Sequence, residues 1–76
     1  MNTDEPVYSG LIAEIRRQLA LSQEDLARQL GVSFATVNRW ENEHALPSKL
    51  ARATLAAFCK KRIRRGELVL EGGPLP

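Results

Sequence analysis

Apolar residues recur every three or four positions through most of the chain, with short polar breaks between them, and that rhythm predicts helices. From Ser9 onward, Leu11, Ile12, Ile15 and Leu19 share one side, while Glu14, Arg16, Arg17 and Gln18 fill other positions. Ser9 is the candidate N-cap, which leaves residues 1–8, polar with one proline, as a flexible extended arm. The first pattern stops near Leu21. Ser22 is a second candidate N-cap, with Asp25 three residues on as a weakened capping box. Leu26, Ala27 and Leu30 then line one face, and Gly31 supplies the stop. A helix of about nine residues is marginal in isolation, so this one depends on packing. Ser33 opens a third helix, in which Val37 and Trp40 point one way. Ala35, Asn38, Arg39 and Asn42 fall at i, i+3, i+4 and i+7 and make a continuous, largely polar face. Glu43–Pro47 reads as a loop. Ser48 then caps a longer helix with Ala51, Leu55, Phe58 and Cys59 inward and no breaker before Gly66.

Residues 9–65 are therefore expected to form one helical domain, and residues 66–76 a flexible or partner-binding tail. Within that tail Leu68-Val69-Leu70 alternates briefly, which suits a dimer strand, a docking peptide or a frayed end, before the flexible Gly72-Gly73-Pro74. There are no internal repeats, and no segment calls for a β-sheet core. The fold class is all-α, a compact bundle of four or five helices.

Composition narrows the function. A chain of 76 residues has room for one domain, near the lower end of what folds alone, so a second copy or a bound partner would add useful stability. Hydrophobic residues at 43% and charged residues at 26% are globular values and argue against disorder. No apolar run approaches the roughly 20 residues of a membrane span, and Asp4-Glu5 is the wrong lead for a signal peptide, so a cytoplasmic protein is expected. Cys59 is the only cysteine and His44 the only histidine, which excludes an internal disulfide and leaves too few ligands for a cysteine- or histidine-based metal site. Cys59 reads as a small buried hydrophobe and His44 as a surface loop residue. Without a phosphate-cradling glycine loop or a nucleophile–base pair, neither an enzyme nor a cofactor is expected.

Charge is split along the chain. Residues 1–48 carry four basic groups, Arg16, Arg17, Arg28 and Arg39, against seven acidic ones, a net of −3. Residues 49–76 carry seven basic groups against two acidic ones, a net of +5, and five of the seven lie in Lys60-Lys61-Arg62-Ile63-Arg64-Arg65. Such a run suits contact with a polyanion, and it equally suits a solvated helix end favoured by the helix dipole.

The informative unit runs from Ser22-Gln23-Glu24-Asp25-Leu26-Ala27-Arg28-Gln29-Leu30-Gly31-Val32-Ser33 into Thr36-Val37-Asn38-Arg39-Trp40-Glu41-Asn42. Two short capped helices joined by a glycine turn have the layout of a helix-turn-helix. Ala27 is small enough for the second helix to cross close above it, and Val32 and Val37 plug the angle between the two. The second helix is then free to lie in a major groove with its polar face towards the base edges.

In its Ser-Gln, Leu-Ala, Gly-Val-Ser and Trp-Glu-Asn elements at these spacings, the chain from about Leu11 to Phe58 resembles the lambda-repressor-like helix-turn-helix family, the Cro/C1 or XRE type. The resemblance implies a four- or five-helix bundle that binds double-stranded DNA, usually as a dimer on a palindromic operator. It implies that Gln23 binds a phosphate and braces the recognition helix. Phe34, Ala35, Asn38 and Arg39 match positions that face bases, Thr36 and Asn42 match backbone-contacting positions, and Ser33 at the helix entry joins that DNA-binding set. Arg16 and Glu41 match a structural ion pair. Phe34 and Ala35 depart from the polar residues common at the first reading positions and can only contact thymine methyls or leave bases unread, so low intrinsic specificity is expected. Glu43 and His44 replace a glycine and a basic residue, which removes one cation from the phosphate side. The leading expectation is a small sequence-specific transcriptional regulator. The alternative is a protein-interaction module, antitoxin-like or an accessory subunit, built on the same scaffold and favoured by the acidic N-terminal half.

Overall fold

The computed structural model describes residues 4–71, with side chains from Tyr8 onward. Four helices follow one another: α1 (Asp4–Leu19), α2 (Gln23–Leu30), α3 (Phe34–Glu41) and α4 (Lys49–Arg64). No strand occurs among the described residues, and the all-α expectation holds with four helices.

The entry to α1 differs from the expectation. The helix begins at Asp4, so residues 4–8 are helical and not an extended arm, and Ser9 lies inside the helix rather than at its cap. The reason is the position of Pro6 in the first turn. The first four N–H groups of a helix have no intrahelical acceptor, so a proline there removes nothing the helix would use. Residues 1–3 lie outside the described part. Ser9 is buried instead, and its hydroxyl donates to Glu43 Oε2 at 3.3 Å, linking α1 to the end of α3.

The other three starts follow their caps. Ser22, Ser33 and Ser48 each accept from the backbone N–H three residues on, and the Ser22–Asp25 capping box is complete in both directions. All four helix ends close the same way, with a left-handed residue and paired 6→1 and 5→2 backbone bonds. Gly31 and Gly66 take that conformation at φ 76° and 77°, where a Cβ would be strained. Ala20 and Glu43 take it at φ 55° and 62° without being glycine.

The core is one cluster. Ile12 and Ile15 of α1, Leu26, Ala27 and Leu30 of α2, Val37 and Trp40 of α3, and Leu55 and Cys59 of α4 meet at its centre. Tyr8 and Leu68 belong to the same cluster. Leu68 is 1% exposed, so the chain beyond α4 is part of the folded domain and does not begin a free tail at residue 66. Gln18 holds this segment by a two-way clasp. Its Nε2 donates to the Val69 carbonyl and its Oε1 accepts from the Val69 N–H, both at 2.9 Å. Gly72-Gly73-Pro74 lies outside the described residues.

Candidate nucleic-acid interface

The α2–turn–α3 unit is built on a close crossing. Ala27 is buried beneath the junction, Val37 and Trp40 fill it from α3, and the half-buried Val32 packs against its edge. This leaves the opposite side of α3 facing out. Phe34 is 51% exposed, Ala35, Arg39 and Asn42 are exposed, and Thr36 and Asn38 are half-buried at the flanks. The helical spacing predicted from the sequence therefore brings the proposed reading residues onto one surface.

Ser33 and Thr36 serve the helix itself. Ser33 Oγ accepts from the Thr36 N–H at 3.1 Å and shares a 2.8 Å hydrogen bond with Thr36 Oγ1. Gln23 opens α2, and an open hollow of about 420 Å³ lined by Arg16, Ser22, Gln23, Glu24 and Phe34 lies in front of it. The unpaired N–H groups at the start of a helix and the positive end of its dipole suit this place to an anion such as a phosphate.

Behind the outward face runs a polar relay joining three helices. Arg16 forks onto Glu41, Nε to Oε2 at 2.5 Å and the second guanidinium nitrogen to Oε1 at 3.0 Å, and its remaining nitrogen donates to the Leu21 carbonyl at 3.0 Å. The ion pair implied by the resemblance is therefore present and links α1 to α3. The Glu41 side chain is only 11% exposed. Burial alone would raise its pKa, but hydrogen bonds from Arg16 and Gln23 and the charge of Arg16 outweigh it and hold the carboxyl below the usual range. Gln23 in turn accepts from Asn38 Nδ2 at 3.0 Å, and Asn38 Oδ1 accepts from Asn42 Nδ2 at 3.1 Å.

The cations divide into engaged and free. Arg17 pairs with Glu14, and Arg28 with Asp25 at 3.4 Å. Hydrogen bonds from Arg17 and Gln18 lower the half-buried Glu14 carboxyl to about 2. Arg39 makes no ion pair among the described residues, and its guanidinium stands free on the outward face of α3. In the basic run, Arg62 lies over the Phe58 ring at 5.0 Å and bonds both Glu67 at 2.9 Å and Gln29 at 2.5 Å. It fastens α4 to the end of α2, whereas Lys60, Lys61, Arg64 and Arg65 are exposed.

Several contacts had no sequence signal, because they join residues far apart in the chain: Ser9 to Glu43, Arg62 to Gln29 and Gln18 to Val69. His44 is exposed in the loop after α3. Cys59 is fully buried, and burial pushes its thiol up to about 11, which leaves it protonated at neutral pH. No group of three or more potential metal ligands occurs among the described residues, and none of their helices is long and apolar enough to cross a membrane.

A capped α2, a glycine turn and an α3 whose outward face carries a free arginine define a DNA-binding helix-turn-helix domain. The helix-turn-helix family HTH_3 matches residues 12–64, more than two thirds of the chain. The protein belongs to this Cro/C1-type, or XRE, family. Comparison with curated proteins and with solved structures gives no match.

Proposed function

We propose that the protein is a small transcriptional regulator that binds double-stranded DNA in a sequence-specific way, with α3 in the major groove. The observation that carries this reading is the outward face of α3. It is tied to α2 by the hydrogen bond from Asn38 to Gln23 and exposes an Arg39 with no ion pair among the described residues. Phe34, Ala35, Asn38 and Arg39 face the bases. Gln23 at the start of α2, with Ser33, Thr36 and Asn42 around α3, lies along the sugar-phosphate backbone, and the exposed cations Lys49, Arg52, Lys60 and Lys61 add positive charge. A second copy on the other half of a two-fold operator would double the contact, one helical turn of DNA away.

Fluorescence anisotropy with duplex DNA at several salt concentrations tests this. Binding should weaken with salt by a log–log slope near −0.9 for each phosphate neutralised. Absence of binding at low salt to any duplex, including DNA from the protein's own genomic neighbourhood, would refute it.

A second reading, an antitoxin-like or accessory protein-binding module, is favoured by a different observation. Leu50 is exposed at a groove of about 210 Å³ that it lines with Leu30, Val32, Trp40 and Ala51, and the exposed Lys49 and Arg52 neighbour it in the first turn of α4. That combination suits an acidic amphipathic segment of a partner. A stoichiometric partner that co-purifies, with function intact in Arg39→Ala, would favour it over DNA reading.

A further inference from the structure

The groove at the start of α4 is lined by Leu30, Val32, Trp40, Leu50, Ala51 and Thr54, and its volume is about 210 Å³. That is below the roughly 300–1,000 Å³ of small-molecule sites, so it suits an inserted side chain better than a free ligand. On its rim stands Leu50, at 78% the most exposed large apolar side chain among the described residues. An apolar hollow with an exposed leucine at its edge forms one patch, unlike a leucine scattered singly on a surface.

The charge beside the patch has one sign. Lys49 and Arg52 are exposed and make no ion pair among the described residues. α4 contains no acidic residue, and neither does the stretch 44–48 that leads into it. The two acidic side chains just before that stretch are engaged elsewhere: Glu41 is bonded to Arg16 and Glu43 to Ser9, both on α1.

These features choose among occupants. A second copy across a two-fold axis would set Lys49 and Arg52 against their own counterparts and repel. A DNA strand would match the cations but leave the apolar groove and Leu50 unmet. An extended peptide needs a strand edge, and no strand occurs among the described residues. A proline-rich segment needs an open aromatic face, and Trp40 is only 4% exposed. An amphipathic helix needs neither. Its apolar side chains at i, i+3 and i+4 meet Leu50 and the groove, and acidic residues on its flank meet Lys49 and Arg52.

Resting on α3 as the DNA-facing helix and on the partner reading of this groove, we propose that the two functions coexist and compete: an acidic amphipathic helix of a protein partner docks here and takes Lys49 and Arg52 away from DNA. Because docked helix and DNA phosphates use the same two cations, docking weakens DNA binding, and DNA weakens docking by the same factor.

A displayed library of peptides of about 15 residues, apolar at i, i+3, i+4 and i+7 and random between, is the probe. Selection on the wild-type protein should enrich Asp and Glu beside the apolar positions. Binding of an enriched peptide should change the fluorescence of Trp40, the chain's only tryptophan and part of the groove wall. Leu50→Ala should weaken it roughly tenfold or more, and Lys49→Glu with Arg52→Glu should turn the preference to Lys and Arg. In fluorescence anisotropy at low salt, saturating peptide should weaken duplex-DNA binding about 5–150-fold. It should also flatten the log–log salt slope by up to about 1.8, at about 0.9 for each cation. Leu50→Ala should bind DNA as the wild type does and ignore the peptide at concentrations that inhibit the wild type. Enrichment of basic peptides, or of none, would overturn the docking site, as would peptides that bind Leu50→Ala undiminished. A dimer in light scattering that Leu50→Ala dissolves would assign the groove to a second copy instead. Peptide binding with unchanged DNA affinity would overturn the competition and leave the docking site standing. Failure of the peptide-free wild type to bind any duplex at low salt would overturn the DNA-binding reading, and the competition with it.

Discussion

Ala20 and Glu43 each end a helix in the left-handed region, at φ 55° and 62°, where a Cβ crowds the following carbonyl at a cost of about 1–2 kcal/mol. Two of the four helix ends were legible because glycine marks them; these two were not, since neither side chain suggests the conformation. Ala20 has no side-chain partner to lose, so Ala20→Gly should stabilise the fold by about 1 kcal/mol, after the extra freedom glycine gives the unfolded chain is offset. That corresponds to a rise in Tm of roughly 4–8 °C for a domain of this size, measurable by circular dichroism. Glu43→Gly should gain less, because it also gives up the hydrogen bond from Ser9. Glu41 makes a pH prediction at the same scale. Its pKa is lowered by folding, so its contribution to stability is present above the unfolded value, about 4.3, and is lost as pH falls through the lower folded value. Urea midpoints followed from pH 7 downward should fall more steeply below about pH 4.5 in the wild type than in Glu41→Gln. Superimposable profiles would show that the Arg16–Glu41 pair contributes nothing pH-dependent.

At the level of elements, the three serine caps, the Gly31 turn and the inward stripes of α2, α3 and α4 were all readable from spacing. They depend on interactions within four residues of one another, which is the range over which sequence pattern reports geometry. The start of α1 was misread because a proline within the first turn looks the same in sequence as a proline that precedes a helix. Ser9 was misread for a related reason. A serine at the front of an apolar pattern suits a cap, and only the tertiary position of Glu43 gives its hydroxyl a partner inside the helix instead. The candidate DNA-facing residues were legible as a face, since i, i+3, i+4 and i+7 define one. Their individual engagement was not, because the partners of Asn38 lie on α2 as well as on α3.

For the molecule as a whole, the segment after α4 is where short-range reading ran out. Leu68-Val69-Leu70 suited a strand, a docking peptide or a frayed end equally well, and the fold makes Leu68 a core residue. Leu68→Ala should therefore cost about 2–4 kcal/mol by leaving a cavity in the core. In a domain this small that is a large share of the total stability, and thermal or urea unfolding will show it at once. An unchanged midpoint would mean that the segment is not part of the folded unit. Val69 is a useful control, since its side chain is 75% exposed and Val69→Ala should change stability little.

By itself, the sequence determined the helical class, three of the four helix starts, two of the four helix ends and the presence of a helix-turn-helix with a polar outward face. Capping, turn chemistry and helical periodicity are local, and they are written in the order of the residues. The tertiary structure decided what each polar side chain does. It assigned Arg62 to packing, left Arg39 free and bonded Asn38 to Gln23 and Asn42. It also drew Ser9 and Leu68 into the interior. The physical reason is that a hydrogen bond or a buried methyl depends on which groups are brought within a few ångströms, and that is set by how the helices pack rather than by their spacing along the chain.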